Sequence, residues 1–338
     1  MKSYQCCARW VLSTVAVLAL LPLPARSIGD RDGQVPLEKI GIIRLKGIAG
    51  PLDHLTVDAA HARLFVANQS NDTLDVVDLR TGKLIKQITG QKEVHGVAWA
   101  PTLDRLFVGT GGGTCNALDG RALKLLKTFP VPDADNVRFD PRSNRVYVAG
   151  EKKLAVIDGR TLQPVGTVEL PGSPEGFQVE QGKHRLYVNT SDPNEVAVID
   201  TEKNTVTGRY PLKEVKAPEA LAMDAHHRRL FVGCRQPSAI VVLDSESGKE
   251  ITRVAIPGGV DDMFFDAERR RIYASCGQGF VAVLQQADAD HYDLLAKIPT
   301  IKGAKTSFFD ASRGRLYLAV PRQLGRDGPE VWKFRARP

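Results

Sequence analysis

Apolar and polar positions along this chain alternate in short bursts rather than in long periodic stretches. Residues 175–212 hold the clearest example: four apolar runs at 176–179, 185–189, 195–200 and 205–210, each bounded by Gly, Asn, Asp or Pro. Every run is too short for a helix, and the spacing predicts four antiparallel strands joined by tight turns.

The same pattern recurs. An arginine followed by two apolar or aromatic residues stands at Arg63, Arg105, Arg145, Arg185, Arg229, Arg271 and Arg315, with spacings of 42, 40, 40, 44, 42 and 44 residues. A period in this range with four strands per copy predicts propeller blades, since a helical repeat would show a 3.6-residue period inside each copy. The seventh copy, from Lys305 onward, supplies only three runs (307–309, 315–319 and 330–334), so its fourth strand must come from elsewhere. The unassigned run at 40–46, IGIIRLK, resembles the fourth run of other copies and is expected to close the ring as the outer strand of blade 7. The fold expected is therefore an all-β, seven-bladed β-propeller with four-stranded antiparallel blades, a single domain over residues 39–338. Closure of this kind leaves no unpaired terminal blade.

Two segments carry a family resemblance. LFVANQSNDTLDVVDLRTGKL at 64–84 and LYVNTSDPNEVAVIDTEKNTV at 186–206 resemble the YVTN-repeat, or YncE-like, β-propellers, in their order of strand, Asn/Ser-rich turn, strand and Asp-containing turn. By copy count the resemblance spans the chain beyond its N-terminal segment, and it speaks to fold, because that family includes binding proteins and domains of several enzymes. The Gly-His and Trp-Asp signatures of WD40 repeats do not recur.

Residues 1–27 read as a secretory signal peptide: Lys2 and Arg9, an apolar stretch at 11–23, and Ala25-Arg26-Ser27 with small residues at the cleavage-determining positions. Pro22 and Pro24 cut the apolar stretch short of a membrane span. Export to the periplasm or beyond is expected, with no span left after processing, followed by a flexible polar segment at 28–38. The whole chain carries 46 Lys+Arg against 39 Asp+Glu, and losing the three basic residues of 1–27 reduces the net charge from +7 to +4. A surplus that small, without clustering, is neither a nucleic-acid footprint nor a polybasic membrane patch. Cys115, Cys234 and Cys276 remain, and the last two occupy equivalent positions in adjacent copies, too far apart for a disulfide; all three are expected to be small buried thiols.

Repeated carboxylates divide into two groups. Asp58, Asp140, Asp224, Asp266 and Asp310 each precede the marker arginine by five residues and are expected to brace the first hairpin, while Asp78, Asp119, Asp158, Asp200 and Asp244 close the third run where an Asx-turn starts. Both groups read as structural. His61, His184, His226 and His227 fall in first-hairpin turns and are expected in solvent.

The residues opening the first run of each copy are Asp53, His95, Asp135, Glu175, Glu219, Asp261 and Lys305. In the propellers this chain resembles the first strand is innermost, which implies that these side chains ring one mouth of the central channel. Five carboxylates together must raise some of their own pKa values or recruit a cation or donors; bracing by loop amides of the next blade is the structural alternative. The symmetry breaks between copies six and two, where His54 and Asp262 follow the ring positions while Gly96, Gly176 and Ala220 stand there in other copies and are expected to open space. Asn136 follows Asp135 in the same way. Asp53, His54, His95 and Asp261 are candidate ligands for a divalent metal ion, although no compact ligand motif is present. The loops at 69–73, 111–114, 151–153, 190–194 and 235–238 differ among copies and are expected on the same face, where recognition usually sits.

No Gly-x-Ser-x-Gly elbow, Cys-x-x-Cys-His haem site or dinucleotide fingerprint is present. The function expected is a non-enzymatic, monomeric scaffold that binds a small molecule, a cation or a protein partner through its acidic mouth. A metal-dependent hydrolase, lactonase or lyase at the same mouth is the alternative. Single-stranded DNA binding, which the family resemblance brings in, is disfavoured by the acidic ring.

Overall fold

A computed structural model describes Met1 and residues 35–338 except Leu324. Apart from Met1, the expected signal peptide and the segment 28–34 lie outside the described residues. Seven four-stranded antiparallel sheets follow one another along the chain, and in blades 1 to 6 the strands are consecutive. Blade 1, for example, runs Leu55–Asp58, Arg63–Asn68, Thr73–Asp78 and Lys83–Ile88.

Blade 7 combines the two ends of the propeller. Ser307–Asp310, Arg315–Val320 and Glu330–Ala336 are completed by Leu37–Arg44, which pairs antiparallel with Glu330–Ala336. The closing strand was expected at 40–46 but starts at Leu37, so Leu37 and Glu38 do not belong to a loose segment. The reason is packing: Leu37 is buried among Phe309, Phe334 and Tyr273 of blades 7 and 6.

The core lies between blades rather than within them. Ile43, Val331, Tyr317 and Ala319 of blade 7 pack on Leu55, Leu64, Val66 and Val77 of blade 1, and each neighbouring pair has a similar cluster. The middle strands are therefore almost wholly apolar and buried, whereas the fourth strands alternate or are exposed. In blades 1 to 6 a register shift interrupts the pairing of the third strand with the fourth, as at Val76/Val77 and Val198/Ile199, which bends the outer edge.

Turn chemistry follows the repeat in part. Asp78, Asp119, Asp158, Asp200 and Asp244 each accept backbone N–H groups two and three residues on, as expected of Asx-turns. The hairpin brace is less uniform than expected. Asp58 accepts Arg63 Nε at 2.9 Å and Nη2 at 2.6 Å, and Glu180, in the corresponding place of blade 4, accepts Arg185 Nε at 2.7 Å. In blades 3, 5, 6 and 7 the acid turns to nearer residues, Asp140 to Ser143, Asp224 to His227, Asp266 to Arg269 and Asp310 to Arg313, and blade 2 has Ala100 in that place. A left-handed residue just before the marker arginine, such as Ala62 (φ 53°) or Asn144 (φ 56°), tightens these turns so that the side chain three positions on comes within reach. His61 and His227 are thereby caps on Asp58 and Asp224 rather than free in solvent.

Cys115, Cys234 and Cys276 are free and buried, and burial pushes each thiol up to about 12. Among the described residues no helix is long and apolar enough to cross a membrane.

The fully buried Asp58 makes the brace in blade 1 testable against blade 7. Arg63→Ala removes the guanidinium and leaves that carboxylate only its His61 contacts, and should cost about 3 to 5 kcal/mol in urea unfolding. Arg315→Ala, which removes only contacts to the carbonyls of Arg313 and Gly314, should cost about 1 kcal/mol or less. Equal losses would show that the brace does not matter.

Candidate functional site

The first strands of blades 2, 4, 5 and 6 share a local irregularity. Their pairing with the second strand shifts register at Val94/Val97, Pro174/Phe177, Pro218/Ala220 and Val260/Asp262. The residues left without a cross-strand partner include His95, Glu175, Glu219 and Asp261. A bulge leaves its extra residue out of the ladder and re-aims its side chain. In blades 1 and 3 the ring residue lies just ahead of the strand, and Asp53 N and Asp135 N still bond the carbonyls of Ala67 and Ala149. All seven ring residues line one cavity of about 260 Å³, together with His54, Asn136, Gln69 and Arg235. Gln69 comes from a variable loop expected on this face, whereas Arg235, expected to open another, lies in the second strand of blade 5, Arg229–Gln236.

Gly96 and Gly176 do not open space as expected. A Cβ on Gly96 would lie 2.0 Å from Asp135 O, and one on Gly176 2.3 Å from Glu219 O. These glycines let the backbone of the next blade approach, and so fix the ring residues of adjacent blades side by side.

The mouth is not the bare acidic ring the sequence suggested. Arg235 spans two ring acids, with Nη1 2.8 Å from Glu219 and Nη2 on Asp261, and Lys305 Nζ lies 3.1 Å from the other Asp261 oxygen. His95 Nδ1 is 2.7 Å from Asp53. His54 Nδ1 is 3.2 Å from Asp262, which also accepts the Ser307 N–H at 2.8 Å. Amide bracing from the next blade, the structural alternative for the ring, thus serves Asp262, while the paired ring acids are held by side-chain cations.

Two ring carboxylates are left over. Asp135 has one ion-pair partner among the described residues, His54 Nε2 at 3.9 Å, and its side chain keeps 38% exposure. Glu175 makes no ion pair there. The two sit in adjoining blades and border a second crevice that adds Asp133 and Glu151. Asn136, only 5% exposed, places an Oδ1 without a hydrogen-bond partner in the same mouth.

The ionisation pattern follows from these contacts. Burial pulls the His54 imidazole down, but Asp262, Asp53 and Asp135 outweigh it and hold it at about 10. Asp262 responds in kind: burial raises it, and the His54 cation, the Ser307 amide and Arg138 bring it below the usual carboxylate range. Burial, Glu219 and Asp135 together raise Glu175 to about 7. Burial is also the main cause of the upward shifts of Glu219 and Asp261, which Arg235 and Lys305 respectively moderate.

The metal-ligand group expected from the sequence is altered. Donor atoms of Asp53, His95 and Asp135 lie within 4.8 Å of one another. Asp261 is not among them, because Arg235 and Lys305 occupy its carboxylate, and Asp135 takes its place. His54 presents Nε2 to this group, 3.7 Å from Asp53 and 3.9 Å from Asp135, while its Nδ1 is turned to Asp262. From the sequence Asp135 was expected at the mouth and in the set serving the metal-dependent hydrolase alternative, though not among the metal ligands themselves, and Arg235 only as the start of a variable loop; its pairing with Glu219 and Asp261 was missed.

The raised carboxyl of Glu175 has a definite sign in stability. The folded chain resists its ionisation, so stability falls as pH rises from its ordinary 4.5 to about 7, and the cost is complete above that. Glu175→Gln should therefore be more stable than the parent by about 1 to 2 kcal/mol at pH 8, with the gain vanishing near pH 4.5. Urea unfolding at both pH values measures this, and a pH-independent difference would contradict it.

Neither a protein-family model nor a curated protein matches the chain by sequence. Solved structures match it by fold. Kuenenia stuttgartiensis hydrazine synthase has a TM-score of 0.73 at 17% identity, over 81% of this chain and 94% of that one. The RRP9 WD40 repeats give 0.75 at 12% identity over 88% and 98%, and U3-55K gives 0.75 at 12% over 87% and 98%. At such identities the likeness is one of architecture, reached without the WD40 signatures, and with the seven sheets it establishes a seven-bladed β-propeller.

Proposed function

We propose that this chain is an exported binding scaffold of the YVTN-repeat type whose channel mouth receives a cation or the cationic group of a small molecule or protein. One observation carries the reading: of the five ring carboxylates, Asp53, Glu219 and Asp261 are paired closely with His95, Arg235 or Lys305, whereas Asp135 has only His54 Nε2 at 3.9 Å, and Glu175 in the adjoining blade has no ion pair among the described residues. Asp133 and Glu151 extend that acidic wedge, and the unpartnered Oδ1 of Asn136 adds an oxygen donor. A positive group placed there gains attraction from several carboxylates at once, partly shielded from water. The rigid ring supplies positions fixed by bulges and glycine contacts, and the loops around it supply variation. The YVTN assignment rests on the two segments at 64–84 and 186–206, and export on the composition of residues 1–27.

A second reading is supported by the grouping of Asp53, His95 and Asp135. These residues, with His54 Nε2 beside them and Asp262 orienting its ring, are an ordinary donor set for a divalent metal. A bound metal would supply Lewis acidity for hydrolysis or elimination. Asp53 and Asp135 would hold the charge, and Glu175, held near neutrality, stands by to take or give a proton.

Calorimetric titration of the metal-stripped protein with zinc, manganese and calcium chlorides, and with arginine amide as an organic cation, tests both readings. At least one should bind saturably, and Asp135→Asn should weaken it about tenfold or more, equivalent to about 1.4 kcal/mol. Binding of zinc or manganese with release of protons from the histidines would favour the metal reading, and binding of arginine amide alone the recognition reading. If no cation binds, or Asp135→Asn binds as well as the parent, the mouth is not the site.

A further inference from the structure

Below the mouth the central channel contains a larger cavity, of about 310 Å³, lined from Asp261 and Asp262 to Pro101 in a turn of blade 2. One register position of the first strands, paired with a second-strand Phe or Tyr in every blade, contributes to its wall. In six blades the residue there is uncharged, as with Thr56, Gln178, Phe264 and Phe308, and in blade 3 it is Arg138.

Arg138 is poorly compensated. Its Nη1 donates to Val137 O at 3.0 Å and its guanidinium lies 5.4 Å from the Phe177 ring, and no carboxylate forms an ion pair with it among the described residues. The acids whose charge reaches it do not pair with it: Asp262 is held by His54 and Ser307, and Asp135 lines the mouth. A guanidinium has five N–H donors, and a half-buried cation without a counter-ion is costly to maintain. Burial accordingly pulls its pKa down against the more distant pull of Asp262 and Asp135. Across the cavity the wall is apolar: Phe264 and Phe308 meet edge to face at 5.9 Å, with Met263, Val57 and Trp99 nearby.

We propose that the channel is a second binding site, distinct from the mouth, for a small organic monocarboxylate whose head pairs with Arg138 and whose apolar or aromatic body lies against Phe264 and Phe308. The forked guanidinium matches a carboxylate in two parallel hydrogen bonds. One arginine, with Asp262 close by, suits a single negative charge better than a phosphate dianion. The volume corresponds to roughly ten water molecules, enough for a ring-sized acid.

The test uses benzoate as probe, with benzamide as its neutral analogue and inorganic phosphate as the competing anion. Binding is followed by calorimetry and by the fluorescence of Trp99, which lines the cavity. Benzoate should bind at least about tenfold more tightly than benzamide or phosphate. Arg138→Gln should erase that preference, Arg138→Lys should restore part of it, and Asp135→Asn should leave it intact, which separates this site from the mouth. Arg138→Lys together with Phe264→Leu keeps the test valid if Arg138→Gln does not fold, since each should weaken benzoate. Equal binding of benzoate and benzamide, a benzoate affinity indifferent to all Arg138 variants, or no saturable binding of benzoate, phenylacetate or hexanoate up to about 10 mM would overturn the proposal.

Discussion

A blade of this protein has two apolar faces and can bury them only against its neighbours, so the ring has to close. Closure rests on the antiparallel pairing of Leu37–Arg44 with Glu330–Ala336, which makes one sheet from the two ends of the propeller. With that pairing in place, Ile43 and Val331 seal the contact between blades 7 and 1, and every interblade cluster has both its sides. Without it the first and last blades would each present an uncovered face and an unpaired strand edge.

Closure has an electrostatic consequence. Seven equivalent positions converge on one axis, and a repeat that placed a carboxylate at each would concentrate like charge where water is scarce. This chain meets that constraint by breaking its own symmetry. Lys305 replaces an acid in blade 7 and His95 in blade 2, Arg235 reaches in from the end of a second strand, and His54 and Asp262 form a buried pair beneath the ring. The compensation is weakest at blades 3 and 4, where Asp135 has only His54 beside it and Glu175 has no ion pair among the described residues. Asp135 and Glu175 therefore stand out as the part of the mouth that the fold neutralises least, and Arg138 as the opposite case one layer down.

The blade count, the strand order, the closing strand and the membership of the ring were legible from the residues. So were the Asx-turns and the buried cysteines. The hairpin brace was overgeneralised, because a shared spacing of five residues between an acid and an arginine says nothing of a nearer Ser, His or Arg that the tight turn brings to the same carboxylate. Gly96 and Gly176 were misread for a related reason: a missing side chain looks like space until the neighbouring backbone is known to fill it.

What the sequence by itself determined is what repeats, since each strand and turn depends on residues within one period and seven copies make the same statement. The tertiary structure decided which charges meet. His54 and Asp262 are 208 residues apart in the chain, and Arg235 of blade 5 reaches Asp261 of blade 6. Such pairings depend on bulges that re-aim side chains and on the curvature of a closed ring, neither of which is written in any single copy.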